Sequence, residues 1–260
     1  MSRIFKALER AEAGLHFQPG PRFDAAHDID EKPPATVLRS PPSAAPRTEP
    51  GGPESRVELA RLKVVLGMAA RATDLKSVML VSARAGEGVT TVALRLAQEM
   101  AAGAGRGVLL METGDDRRDL ADRLAAPPGP GFSELLAKSV QREEAIATTA
   151  VSRLFFMGRG REGIDLSQAR WMGLFEDLLA DLRSDFDFIV IDGGSLERCA
   201  DGLLLSRAAE GVIIIVDSLH TTTTVARRAA QSLRGAGANV LGVVLNRRRQ
   251  YVPDFVASRL

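Results

Sequence analysis

Cysteine is nearly absent: Cys199 is the single one among 260 residues, which excludes a disulfide framework and any cysteine-ligated zinc site. Histidine is almost as scarce, and His16, His27 and His220 lie too far apart for a ligand pattern. An excess of charge of one sign is missing too. Lys and Arg number 34 against 33 Asp and Glu, a net charge of +1, so the composition carries no bulk attraction to nucleic acid or acidic lipid. No apolar run approaches the roughly 18–20 residues that cross a bilayer, and the N-terminus lacks the apolar stretch of a secretory signal. These absences lead to the expectation of a soluble, cytoplasmic protein without a membrane span and without a nucleic-acid partner.

What is present suffices for a core. Hydrophobic residues make up 45% of the chain, enough for one α/β domain of about 200 residues with appendages. Residues 2–13, SRIFKALERAEA, carry Ile4, Phe5, Leu8 and Ala11 at helical spacing behind a capping Ser2. Residues 1–17 are therefore expected to form a short interaction helix, marginal alone and in want of a partner. Nine of the 13 prolines fall in residues 18–55, which have almost no apolar periodicity. That segment reads as a disordered linker. Beyond it, a helix is expected over Arg56–Arg71. Short apolar runs then alternate with helical patterns: Ser77–Ser82, Gly107–Met111, Leu154–Met157, Phe188–Ile191, Val212–Val216 and Val240–Leu245. The helices between them are Thr90–Ala102, Phe132–Ala137, Leu166–Arg183, Ala200–Ala208 and Thr222–Gly235, with Pro253–Arg259 as a further candidate. Continuously apolar strands separated by helices predict an α/β fold, a mostly parallel sheet covered on both faces. The domain boundaries so drawn are 1–17, 18–55, 56–251 and a tail of 252–260.

The stretch SVMLVSARAGEGVTTVALRLAQEMA holds the chemistry. A strand ends at Ser82, a glycine-containing turn follows, and a helix opens at residues 89–91. Glycines allow successive N–H groups to point inward, and the helix N-terminus adds positive potential, so the arrangement suits a phosphate. Against the pattern G-x-x-x-x-G-K-[ST], Gly86, Gly88, Thr90 and Thr91 fit, Ala83 opens the loop, and Val89 stands where the lysine belongs. A charge-assisted hydrogen bond contributes roughly 1.5–3 kcal/mol, so its loss weakens triphosphate binding by roughly 10- to 100-fold. Arg84 is a candidate replacement cation. The alternative stays open that the segment is only a strand-to-helix turn.

Residues 54–251 resemble the bacterial tyrosine autokinases of capsule and exopolysaccharide synthesis, the CpsD/CapB type within the MinD/ARA- and ParA-like P-loop ATPases. The resemblance rests on SARAGEGVTT, beside the family's S-x-x-P-G-E-G-K-[ST]-T, on the opening MSRIFKALERAE, and on GFSELLAKSV and GVVLNRRR. It implies a P-loop NTPase fold, ATP or ADP with magnesium as ligand, and nucleotide contacts from Arg84, Gly86, Glu87, Gly88, Thr90, Thr91, Asn246 and Arg247. Asn246 would read the adenine edge and Arg247 lie against the base; a strand-ending turn is the other reading of Asn246. Asp192, at the end of FDFIVID, takes the Walker B position. Glu112, in VLLMETGDDRRDL, stands for the first aspartate of the Walker A′ motif, with Gly114 at the second unless Asp115 or Asp116 takes over by a register shift. Thr90, Asp192 and Glu112 are the implied magnesium set. Gly193–Gly194 replace the prolines of D-T-P-P, which implies a looser loop. Asp201 matches a further acidic position of the family and is equally readable as a helix-start aspartate. Glu58 and Arg61 match an oligomerisation helix of the form E-x-x-R-x-x-R. Tyr251 is the lone tyrosine where the family carries a phosphorylated cluster.

Three catalytic features are thus altered together: the loop lysine, the A′ aspartates and the tyrosine tail. The implied function is that of a degenerate, pseudokinase-like regulator or adaptor in polysaccharide synthesis or export, partnered by a membrane chain-length (Wzz-like) protein or an active kinase. An active tyrosine kinase or ATPase of the same pathway is the first alternative, and a ParA/MinD-like positioning ATPase the second.

Overall fold

The computed structural model describes residues 62–68, 73–114, 119–127, 129–161, 169–198 and 200–247. The expectations for residues 1–17, 18–55 and 252–260 lie outside them. Within the Arg56–Arg71 expectation, residues 62–68 form a helix, α1.

Seven strands follow: β1 (Ser77–Ser82), β2 (Val108–Glu112), β3 (Ala147–Thr148), β4 (Leu154–Met157), β5 (Phe188–Ser195), β6 (Gly211–Asp217) and β7 (Val240–Asn246). They form one sheet in the order β3-β4-β2-β5-β1-β6-β7. All pairings are parallel except the two-residue β3 against β4. Helices α2 (Val89–Ala101), α3 (Asp119–Arg123), α4 (Phe132–Leu136), α5 (Arg142–Ala145), α6 (Ala169–Asp185), α7 (Ala200–Leu205) and α8 (Thr223–Gly235) connect them.

Strands β1, β5 and β6 are buried along their whole length, which is why they read as unbroken apolar runs. Alternate residues supply two cores. Val78, Leu80, Leu110, Val190 and Ile213 pack with Ala93, Leu94 and Ala97 of α2 on one face. Met79, Leu109, Met111, Ile189 and Ile214 pack on the other face with Phe132 of α4, Phe175 and Leu179 of α6, and Leu233 of α8. Phe132 and Phe175 meet edge to face, their centroids 5.8 Å apart. β7 lies at one edge of the sheet, opposite the two-residue β3 at the other, and Leu241 and Val243 on it remain exposed.

From β1 the chain moves to β2 and β4 on one side, returns to β5 beside β1, and continues to β6 and β7 on the other. Ligands of open α/β sheets bind at such a reversal, outside the carboxyl ends of the strands. The loop of residues 83–88 lies there. Among the described residues no helix is long and apolar enough to cross a membrane.

Candidate functional site

The loop between β1 and α2 needs its glycines. Gly86 and Gly88 have φ of +80° and +93°, a region that side-chain-bearing residues rarely adopt. Gly88 caps α2, and its carbonyl accepts from Val92 N at 3.0 Å. A cavity of about 220 Å³ opens over this helix start, walled by Ser82, residues 86–91, Gly194, Ser195 and Arg247.

Two of the expected nucleotide residues serve to anchor the loop. Glu87 is buried. Its carboxylate accepts from Arg84 N at 2.7 Å, from Asp217 N at 3.0 Å, and from the Thr221 hydroxyl. It thereby ties the loop to the end of β6. Asn246 donates from Nδ2 to the Glu87 carbonyl at 2.8 Å and accepts from Arg247 N at 2.9 Å. A Cβ on Gly88 would come within 2.3 Å of that Nδ2. Both ends of the Asn246 amide are thus engaged within the protein.

The cations are placed unevenly. Arg84 is exposed and is not among the residues walling the cavity, whereas Arg247 is. Arg247 Nη1 pairs with Asp217 at 2.8 Å. Burial pushes the Asp217 carboxyl up, but donation from Leu219 N, His220 and Arg247 more than offsets it and holds the pKa at about 2. Val89, only 5% exposed, belongs to the core cluster beneath α2 and also lines the cavity. Thr90 lines the cavity, and the Thr91 hydroxyl accepts from Arg123 Nη1 of α3 at 3.1 Å.

Glu112, which ends β2, sits directly opposite Asp192 within β5, and both are buried. Asp192 Oδ1 accepts from Gly194 N at 3.1 Å, and its carbonyl accepts from Thr113 N and Gly114 N at 2.9 and 3.2 Å. Gly193 and Gly194 lie within β5, where the sequence implied a loose loop. The physical reason is close backbone packing. A Cβ on Gly193 would meet Met79 at 2.4 Å, and Gly194 has φ +65°, which proline's ring forbids. A Cβ on Gly114 would stand 3.1 Å from Gly194. The glycines at the second A′ position and in the Walker B loop therefore pack on one another.

The expected residues Asp115, Glu58, Arg61 and Tyr251 lie outside the described residues. Asp201 pairs with Arg159 at 2.6 Å, and Arg159 also donates to the Thr113 carbonyl at 2.9 Å. Sequence reasoning missed Arg159 and Arg123, which follow no motif, and Ser195, whose signal was its position three residues after Asp192. Glu134 of GFSELL is buried and accepts from Gly131 N, Ser133 Oγ and Arg161 N at 2.8, 3.0 and 2.6 Å. Burial raises its pKa, and these bonds bring it below the ordinary value.

The residues present fit the phosphate end of a nucleotide in one respect and fail in another. Positive-φ glycines at a helix start and an unpartnered Ser195 hydroxyl provide donors, while the lysine's place holds valine. Among the described residues no group of three His, Cys, Asp or Glu could by itself hold a metal. A magnesium ion would therefore take Thr90, Asp192 or Glu112 together with phosphate and water.

The architecture defines the class by fold, the P-loop fold of MinD-like domains. A MinD from Pyrococcus horikoshii OT3 in complex with Mg-ADP aligns with a TM-score of 0.53 and 21% identity, over 71% of this chain and 76% of that one. Within the class, the chain's homologues are bacterial tyrosine kinases of the CpsD, CapB and YwqD type. Tyrosine-protein kinase YwqD of Bacillus subtilis is 25% identical over 176 residues, 66% of this chain and 73% of that one. Tyrosine-protein kinase CpsD of Streptococcus pneumoniae serotype 4 is 26% identical over 175 residues, 66% and 76%. The VpsO kinase domain superposes with a TM-score of 0.62 and 27% identity, over 76% of this chain and all of that one. No protein-family model matches the chain.

Proposed function

We propose that this chain keeps the phosphate cradle of a bacterial tyrosine kinase without its efficient catalysis, and acts as a regulator or adaptor in exopolysaccharide or capsule synthesis and export. The observation that carries the reading is Val89, an apolar side chain packed into the core at the position where a lysine would neutralise phosphate. Phosphoryl transfer depends on positioned charge. Among the described residues walling the cavity the one cation is Arg247, and it is paired with Asp217. The contact between Gly114 and Gly194 adds support, because it makes the missing A′ aspartate part of how β5 packs.

ATP or ADP with magnesium then acts as a conformational ligand. Thr90, Asp192 and Glu112 would hold the ion, and the loop amides would hold the phosphates. Residues 1–17, on the linker of 18–55, recruit a partner at the cytoplasmic side of the membrane, either a chain-length protein of Wzz type or an active kinase. Glu58 and Arg61 support self-association of the 56–251 domain. The pathway is supported by the Rhizobium meliloti succinoglycan biosynthesis transport protein ExoP, 23% identical over 178 residues, which are 67% of this chain and 22% of that protein.

A turnover assay tests the reading. ATP hydrolysis and tyrosine phosphorylation by the native chain are expected at background, with Asp192→Ala unchanged. The buried Glu112–Asp192 pair favours a second reading, a weak magnesium-dependent ATPase or kinase. Turnover that Asp192→Ala abolishes would establish it in place of the adaptor.

A further inference from the structure

We infer that Ser195 is a phosphate ligand of this site, its hydroxyl donating to an oxyanion held over the start of α2. The inference rests on the phosphate-cradle reading above and deepens it.

Ser195 closes β5 at 4% exposure, and its Oγ has no hydrogen-bond partner among the described residues. An orphaned buried hydroxyl is costly, and native proteins retain few of them. The strand register shows where it faces. Leu80 of β1 stands opposite Asp192, and Ser82 opposite Ser195, so two steps along β1 span three along β5. In an unbroken strand Asp192 and Ser195 would point to opposite faces. The extra residue at Gly193–Gly194 is a bulge that returns Ser195 to the face of Ser82 and Asp192, where α2 begins. Both glycines are needed for it, one by close approach and one by positive φ.

The ligand class follows from the wall. Ser195 shares it with the glycine turn and with the hydroxyls of Thr90 and Thr91, neutral groups that can all donate. Converging donors over a helix N-terminus select a tetrahedral oxyanion, the phosphate chain of a nucleotide or free pyrophosphate. With valine at 89, a hydroxyl from β5 supplies one of the contacts that remain.

Calorimetric titration of the full chain with Mg-ADP, Mg-ATP and pyrophosphate tests this, for the native protein and Ser195→Ala, and again for both in a Val89→Lys background. A hydrogen bond to a charged acceptor predicts a Kd weakened about tenfold or more by Ser195→Ala. The Tm of the unliganded protein should be unchanged or raised, because the hydroxyl removed has no partner to lose. Weakened pyrophosphate binding identifies the phosphate chain alone as ligand; weakening seen only with ADP and ATP identifies the nucleotide. Equal affinity of native and Ser195→Ala in every background that binds overturns the inference and leaves the cradle standing. A lowered unliganded Tm overturns it also, since it shows a partner within the fold. Failure of every background to bind any of the three overturns the cradle reading itself.

Discussion

Asp217 shows how much of the site's charge is spent on holding the site together. Its carboxylate takes Arg247 and His220 at the end of β6 while Glu87 takes the Asp217 amide. Because its folded pKa of about 2 lies below the unfolded value, the group stabilises the fold fully above about pH 4. That contribution, about 2 kcal/mol, is lost as pH falls through about 2. Asp217→Asn should therefore remove it at neutral pH and flatten the acid limb of the stability curve between about pH 4 and 2, as measured by denaturant unfolding across that range. An unaltered acid limb in the variant would contradict this. Arg247 was legible as a site residue, but its pairing was not: Asp217 is 30 positions away and meets it only because β6 and β7 are neighbours.

At the scale of the element, β5 carries the departures. Its apolar run was readable to Ile191, and the continuation through Asp192, Gly193, Gly194 and Ser195 was not. Glycines and a carboxylate give no strand signal, and what extends the strand is pairing with β1 and the contact with Gly114. Gly194→Ala puts a Cβ at φ +65° and 3.3 Å from the Gly114 Cα. It should lower stability by about 1–2 kcal/mol or more, visible as a fall in urea midpoint. Gly114→Asp, which restores the A′ carboxylate in sequence, should also lower the midpoint, since its Cβ meets Gly194 at 3.1 Å. A midpoint equal to the native one would show that the two glycines are independent. The elements α3, α5 and β3 escaped the sequence because they are two to five residues long and lack the apolar and aromatic run that marks the equally short α4 and β4.

Across the whole molecule, the mostly parallel sheet covered on both faces was legible because β1, β5 and β6 are buried along their length and read as apolar runs; the strand order was not, because it is set by pairings between segments far apart in sequence. The same packing makes the scaffold sensitive. Leu94 of α2 is fully buried, and Leu94→Ala should destabilise the chain by about 2–5 kcal/mol in chemical unfolding. This intact scaffold surrounds a strand-to-helix loop with valine where the lysine would stand, and one comparison decides what that valine costs. The native chain and Val89→Lys are titrated calorimetrically with ATP and ADP, with and without magnesium. Lysine at position 89 should tighten ATP binding by roughly 10- to 100-fold. Micromolar, magnesium-dependent binding by the native chain that lysine does not improve would contradict it and would favour the enzyme reading.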